Sequence, residues 1–255
     1  PSGRWEMGVL TGLADPVASR MRHGAFLADG AALCDYFSFG VSAAEASAMD
    51  PCQRLLLELG YASLHAGGSG RASLGGSLTG VFLGFAGSEF SQVLMASPMG
   101  GSVYAATGSS ASITAGRLSY VLDVHGPCVS YDTACSAALV ASHAALRAQQ
   151  LDECAFGVAA GVALMLAPCV GTSFGVAGMT STRGRSHTFD VRADGYARAE
   201  ACGSIWMRRI DRPSSASLRG GAVRQDGRGA SLTAPNGHAQ QRLLMASVDD
   251  AGVRV

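Results

Sequence analysis

Two hydrophobic rhythms alternate along this chain. In TGVFLGFAG (79–87), Val81, Leu83 and Phe85 fall at every second position, the alternation of a β-strand. The runs CVSYD (128–132), FGVAAGVALML (156–166, strand-like despite its alanines) and SIWMRRI (204–210) extend the set, with a weaker strand near Ala222 and Val223. Helical stretches lie between them. Asp50 followed by Pro51 is an N-cap with proline at the first helical position. The helix it opens runs through QRLLLELGYASLHA, with Leu55, Leu56, Leu59 and Ala62 on one face, and closes at Gly67-Gly68. Ser109 or Ser110 can cap a second helix through SITAGRLSYVL, and Gly126-Pro127 punctuates before the next strand. An Ala-rich helix follows to Gln150, and a last one begins at about His238.

Strands alternating with helices predict an α/β architecture with largely buried sheets. The segments 79–86, 128–132 and 156–165 are expected in one buried sheet, with the Ala-rich helix in the interior against other helices. No repeat period or low-complexity tract appears, and the most linker-like stretch, DRPSSAS (211–217), is too short to separate domains.

Composition sharpens this picture. Apolar residues make up 48% of the 255 and charged residues 15%, so the chain buries much and exposes little. Formal charge balances at zero with no basic run, which argues against nucleic acid or an anionic membrane as partner. No apolar run reaches transmembrane length, and no signal peptide opens the chain; the expected location is cytoplasmic or organellar. All nineteen basic residues are arginine, so lysine base or Schiff-base chemistry is absent from these residues. The seven cysteines (34, 52, 128, 135, 154, 169 and 202) show no zinc-type spacing. Six of them read as free thiols acting as small core hydrophobes.

Cys135 is the exception. In VSYDTACSAALVASHAALRAQQ (129–150), an apolar strand breaks at Asp132-Thr133-Ala134, presents Cys135 and passes straight into a helix. The reactive form of cysteine is the thiolate, which the unpaired N–H groups of a helix N-terminus favour. The same N–H groups can receive the oxygen of a thioester as it becomes tetrahedral. A sharp strand-to-helix turn also lifts the side chain off the sheet, the logic of the serine nucleophile elbow. On pattern alone, a structural thiol is an equal reading.

The neighbourhood changes the balance. DPCQRLLLE (50–58), GPCVSYDTACSAALVA (126–141), HTFDVRADGYARAEACG (187–203) and DGRGASLTAPNG (226–237) occur in that order. Together they closely resemble the β-ketoacyl synthase domains of modular type I polyketide synthases. The resemblance implies a thiolase-like, layered α/β/α/β/α fold, of which this chain holds mainly the N-terminal half, with homodimerisation through that half. It implies a Claisen condensing enzyme in which Cys135 accepts an acyl group from a carrier-protein thioester and its backbone N–H serves as an oxyanion donor. A malonyl-type extender then loses CO2 and attacks the Cys135 thioester. No cofactor binds directly; substrates ride on the phosphopantetheine of acyl carrier protein, and no metal is expected.

The same resemblance places Thr233 by the pantetheine arm and Asp190, Asp194, Arg198 and Glu200 near the floor of the active site, where hydrogen bonding that fixes loops is their plainer role. The family's two catalytic histidines and its lysine match nothing here: none of the six histidines has the right context. Residues 1–255 are thus expected to form a partial condensing domain without its opening strand and histidine-bearing half, inactive alone in condensation. Cys52 replaces a glutamine usual in relatives, and Ala199 and Ala201 replace glycines. A fatty-acid condensing enzyme, or a non-elongating domain that binds carrier protein or holds a dimer, are the alternatives.

Overall fold

A computed structural model describes residues 4–5, 12–28, 33–209 and 216–254. Its strands are β1 (Gly24–Ala25), β2 (Thr79–Gly84), β3 (Cys128–Tyr131), β4 (Phe156–Ala163), β5 (Arg198–Ala199) and β6 (Ala201–Arg208). Its helices are α1 (Asp15–Met21), α2 (Ala43–Ala48), α3 (Pro51–Ala66), α4 (Arg71–Leu74), α5 (Phe90–Met95), α6 (Ala105–Gly108), α7 (Ala111–Leu122), α8 (Ala137–Gln150), α9 (Pro168–Val176) and α10 (Gly237–Asp250).

The three expected strands do share one sheet, in the order β3-β2-β4-β6. β2 is parallel to both β3 and β4, while β6 runs antiparallel to β4. All of β2 is buried, as a central parallel strand must be. Its alternation sorts side chains between two cores. Val81, Leu83 and Phe85 join Val158, Ala160 and Val162 of β4 beneath α3 and α7, whereas Phe82 and Ala159 face α8. There Phe82 meets Ala141, Ala145 and Ala148, so the alanines of α8 are the small surface that a close helix–sheet approach demands. A separate ribbon pairs β1 with β5 in parallel.

Asp50 caps α3 as its sequence requires: its carboxylate accepts from the Cys52 N–H at 2.7 Å, and Pro51 follows at the first turn. The helix ends at Gly67, and the left-handed Gly68 (φ +87°) turns the chain away. Gln53, fully buried, then ties α3 to its neighbours. It donates to the Thr107 and Gly108 carbonyls at 3.0 Å and accepts from Arg117 of α7 at 2.8 Å. Arg117 in turn pairs with Glu45 of α2 at 2.5 Å.

Several expectations need correction. The buried stripe of α3 is Cys52, Gln53, Leu56, Leu57, Gly60 and Leu64, with Leu55 also covered; Leu59 and Ala62 point outward. Adjacent leucines supply apolar side chains on every side of a helix, so only the partner decides which are buried. The segment around Ala222 and Val223 forms no strand; Gly221 before it is tied to helices instead, donating to Asp250 of α10 and accepting from Arg147 of α8. α8 lies on the sheet, and its opposite side is open, with Leu139 75% exposed. Cys128 is exposed rather than in a core, because β3 is an edge strand. Most of the linker-like stretch at 211–217 lies outside the described residues.

Candidate active site around Cys135

β3 stops at Tyr131, and the next five residues make the corner. The Asp132 carboxylate accepts from the Ala134 N–H at 3.1 Å. Ala134 takes a left-handed backbone (φ +52°), a state that costs a residue with a Cβ about 1–2 kcal/mol. The Ser136 hydroxyl donates back to the Thr133 carbonyl at 2.9 Å and lies 2.8 Å from the Thr133 hydroxyl. A single 3-10 turn, Ala134–Ser136, carries Cys135 into α8. Cys135 is exposed there, at the carboxyl ends of parallel strands, where open α/β sheets place their ligands. Its backbone N–H belongs to a first helical turn, which supplies no acceptor of its own.

Beside it opens a groove of about 580 Å³. Gly84 closes the end of β2, Ala137 and Ala138 begin α8, Gly161 lies on β4, and Gly203 and Ile205 lie on β6. The lining is almost wholly apolar and small, suited to an uncharged chain rather than to a polar headgroup. Tyr196, a residue that the sequence pattern did not single out, stands nearby. Burial pushes its phenol up, Arg198 opposes this, and charge on Cys135 adds to it. Its ring packs against Phe174 of α9 with centroids 6.5 Å apart.

The four charged residues expected at the floor serve separate loops. Glu200, 6% exposed, accepts from the Leu27 N–H at 2.9 Å and the Met165 N–H at 3.0 Å, and pairs with Arg4 at 2.9 Å. Arg198 pairs with Glu89 at 3.3 Å, and its guanidinium lies 5.4 Å from the centre of the Phe174 ring. Glu89, which the sequence reading missed, accepts from both the Leu166 and Ala167 N–H groups at 2.7 Å. Two buried glutamates therefore hold the chain as it leaves β4. Asp194 accepts from Ser181 at 2.6 Å and Thr182 at 2.9 Å, and these hydroxyls hold its carboxyl down to about 2. Asp190 is held to about 2 by Arg192, which reaches it at 2.7 Å. Arg183 links the two loops, pairing with Asp194 at 3.5 Å while donating to the Arg192 carbonyl.

Thr233 is exposed in a shallow concavity of the 224–235 segment, which shares no lining residue with the Cys135 groove. None of the histidines lines the Cys135 groove. His125 lies 3.1 Å from Asp123, His187 4.0 Å from Asp190, His65 against Tyr61, and His143 faces Gly221 with its Nδ1 unpartnered. Burial pushes the Cys34 and Cys202 thiols up to about 11, and raises Cys52 and Cys154 as well. Among the described residues no cluster of His, Cys, Asp or Glu is placed to hold a metal ion, and no helix is long and apolar enough to cross a membrane.

A mixed sheet whose parallel strands end beside an exposed cysteine, on the corner that opens a helix, defines an α/β protein with a thiol at the carboxyl ends of its strands. Residues 1–212 match the model of the β-ketoacyl synthase N-terminal domain, and the chain belongs to that family. It is 40% identical over 242 residues to polyketide synthase GfsB of Streptomyces halstedii, covering 92% of this chain and 4% of that protein. It is likewise 40% identical over 222 residues to erythronolide synthase EryA3 of Saccharopolyspora erythraea, covering 85% of this chain and 7% of that protein. Among solved structures it superposes on the oxazolomycin ketosynthase domain OzmH KS7 of Streptomyces albus with a TM-score of 0.89 at 32% identity. The module 6 ketosynthase of the bacillaene synthase of Bacillus subtilis gives 0.86 at 29%. Each superposition covers 99% of this chain but only 46% and 43% of the solved chains. The fold is thus the thiolase-like α/β arrangement of ketosynthase domains.

Proposed function

We propose that this chain carries the acyl-accepting step of a polyketide-type β-ketoacyl synthase, with Cys135 as nucleophile. The Cys135 thiolate attacks the carbonyl of an acyl-pantetheine thioester borne by acyl carrier protein. The tetrahedral oxyanion that forms is received by N–H groups of the corner, that of Cys135 among them, and its collapse expels the pantetheine thiolate, which takes up the proton that Cys135 gave up. The acyl group is left as a Cys135 thioester. In the condensing half, a malonyl-type extender loses CO2, and its carbanion attacks that thioester, forming a carbon–carbon bond and releasing the Cys135 thiolate.

The observation that carries this reading is the corner itself: an exposed cysteine at the strand-to-helix turn, opening onto an apolar groove of about 580 Å³. The motifs around it favour a polyketide over a fatty-acid pathway, as do relatives that are polyketide synthases. The outer edge of β3, which pairs with no strand among the described residues, offers a place for the homodimer that the family resemblance implies. The test is to incubate the chain with an acyl-pantetheine thioester and map the adduct by mass spectrometry. An acyl group on Cys135 that disappears in Cys135→Ala is expected; an adduct on another cysteine overturns the assignment.

A further inference from the structure

The first turn of α8 rests on two strand glycines. A Cβ built on Gly161 would come 2.8 Å from the Ala138 Cβ, closer than real methyl groups approach. A Cβ on Gly84 would meet backbone instead, 2.5 Å from the Ala137 carbonyl carbon and 2.5 Å from the Ala138 Cα. Glycine inside a strand gives up packing and conformational entropy, and is explained where another backbone must come close. Here that backbone begins two residues after Cys135. The corner cannot absorb a displacement of α8 freely, because Ala134 is already left-handed and is tied to Asp132.

We propose that Gly161 and Gly84 are positioning residues for Cys135. By offering no side chain to Ala137 and Ala138, they set how deeply the first turn of α8 sits on the sheet. That depth fixes where the Cys135 sulfur and its neighbouring N–H groups meet a thioester carbonyl. The inference rests on Cys135 being the acyl acceptor, and it assigns to two glycines of the groove wall a control of acyl transfer exerted through the seat of α8. The two contacts differ in kind. At Gly161 the obstacle to a methyl group is another methyl group, so removing that of Ala138 restores the space. At Gly84 the obstacle is main chain, and no side-chain change on α8 relieves it.

The experiment follows acylation of Cys135 in the full chain by mass spectrometry, with an acyl N-acetylcysteamine thioester as probe, reading maximal rate and half-saturating concentration separately. Gly161→Ala is expected to lower the maximal rate about 10–100-fold, the scale of a misplacement near 1 Å, with half-saturation little changed. Gly161→Ala combined with Ala138→Gly recovers most of that rate, while Gly84→Ala combined with Ala138→Gly does not. Gly67→Ala is the control. Its Cβ would come 2.6 Å from Trp206 Cε3, beside β6 and away from the Cys135 groove, so it strains the core and leaves the acylation rate of folded protein unchanged. Where Gly161→Ala fails to fold, Ala138→Ser enlarges the same contact more gently and lowers the rate in the same direction.

Acylation by folded Gly161→Ala at the wild-type rate overturns the inference. So does failure of Ala138→Gly to restore the rate in a folded double variant, or an equal loss of rate in Gly67→Ala. Wild-type chain that carries no acyl group on Cys135 overturns the functional reading instead, and this inference with it.

Discussion

At the scale of single residues, thiols of one chain differ because their surroundings differ. Cys34 and Cys202, partly buried and pushed up to about 11, stay protonated at mildly alkaline pH, and Cys52 and Cys154 are buried, their thiols raised as well. Cys135 is exposed, at the strand-to-helix turn that opens onto the apolar groove. Limited treatment with an acyl thioester or a cerulenin-type electrophile should therefore modify Cys135 first. Peptide mapping should find Cys34, Cys52, Cys154 and Cys202 unmodified at that stage. Cys128 is the informative competitor, being exposed but on a strand rather than at a helix start. Glu200 offers a second residue-scale test. Glu200→Ala strands the buried Met165 N–H, at about 1–3 kcal/mol, and the partly buried Leu27 N–H, at less. Denaturant unfolding should show a loss of roughly 1–5 kcal/mol on that basis, and a smaller one for Glu200→Gln, which keeps one acceptor.

At the scale of elements, legibility in the sequence followed how local the cause was. β2, β3 and β4 were readable because alternation and turn residues are properties of a few consecutive positions, and Asp50-Pro51 announced α3 for the same reason. The buried face of α3 was not readable, since Leu55, Leu56, Leu57 and Leu59 compete for it and the packing partner decides. Cys135 was legible through its motif. Glu89, Tyr196, Gly84 and Gly161 were not, because each acts through a contact distant in sequence. The loop from Ser181 to Asp194 carries an element-scale prediction about pH. Asp190 and Asp194 are depressed to about 2, below the ordinary carboxylate range, so folding favours their charged forms. Their contribution is fully present above about pH 4 and is lost as pH falls towards 2. Amide exchange across residues 181–194 should accelerate over that window, ahead of β2 and β4.

At the scale of the whole molecule, the sheet has two edge strands, β3 and β6. Among the described residues neither outer edge pairs with a further strand, and on the β3 edge Val129 is 38% exposed. A second copy pairing there would form one sheet across two chains, and Val129→Glu should shift sedimentation towards monomer while the fold persists. Catalysis divides similarly. Of the six histidines, His125, His187, His65 and His143 sit against Asp123, Asp190, Tyr61 and Gly221, His23 lies by Gly184, His238 is in the first turn of α10, and none lines the Cys135 groove. Residues 1–255 should accordingly show acyl transfer to Cys135 without a β-ketoacyl product from a malonyl thioester, measured as separate yields. Turnover at the rate of a complete ketosynthase would mean that one of those histidines is catalytic after all.

The left-handed alanine of the corner joins stability to reactivity with opposite signs. Ala134 sits in a conformation that glycine enters freely and alanine does not. Ala134→Gly relieves that strain, and heating should find the variant as stable as the parent or tougher by up to about 1 kcal/mol. The same change lets the peptide before the sulfur wander among shapes that alanine forbids, so the thiol should acylate more slowly in each folded molecule. One missing methyl group would yield a protein that survives longer and works less, the mark of a corner tuned for aim rather than endurance.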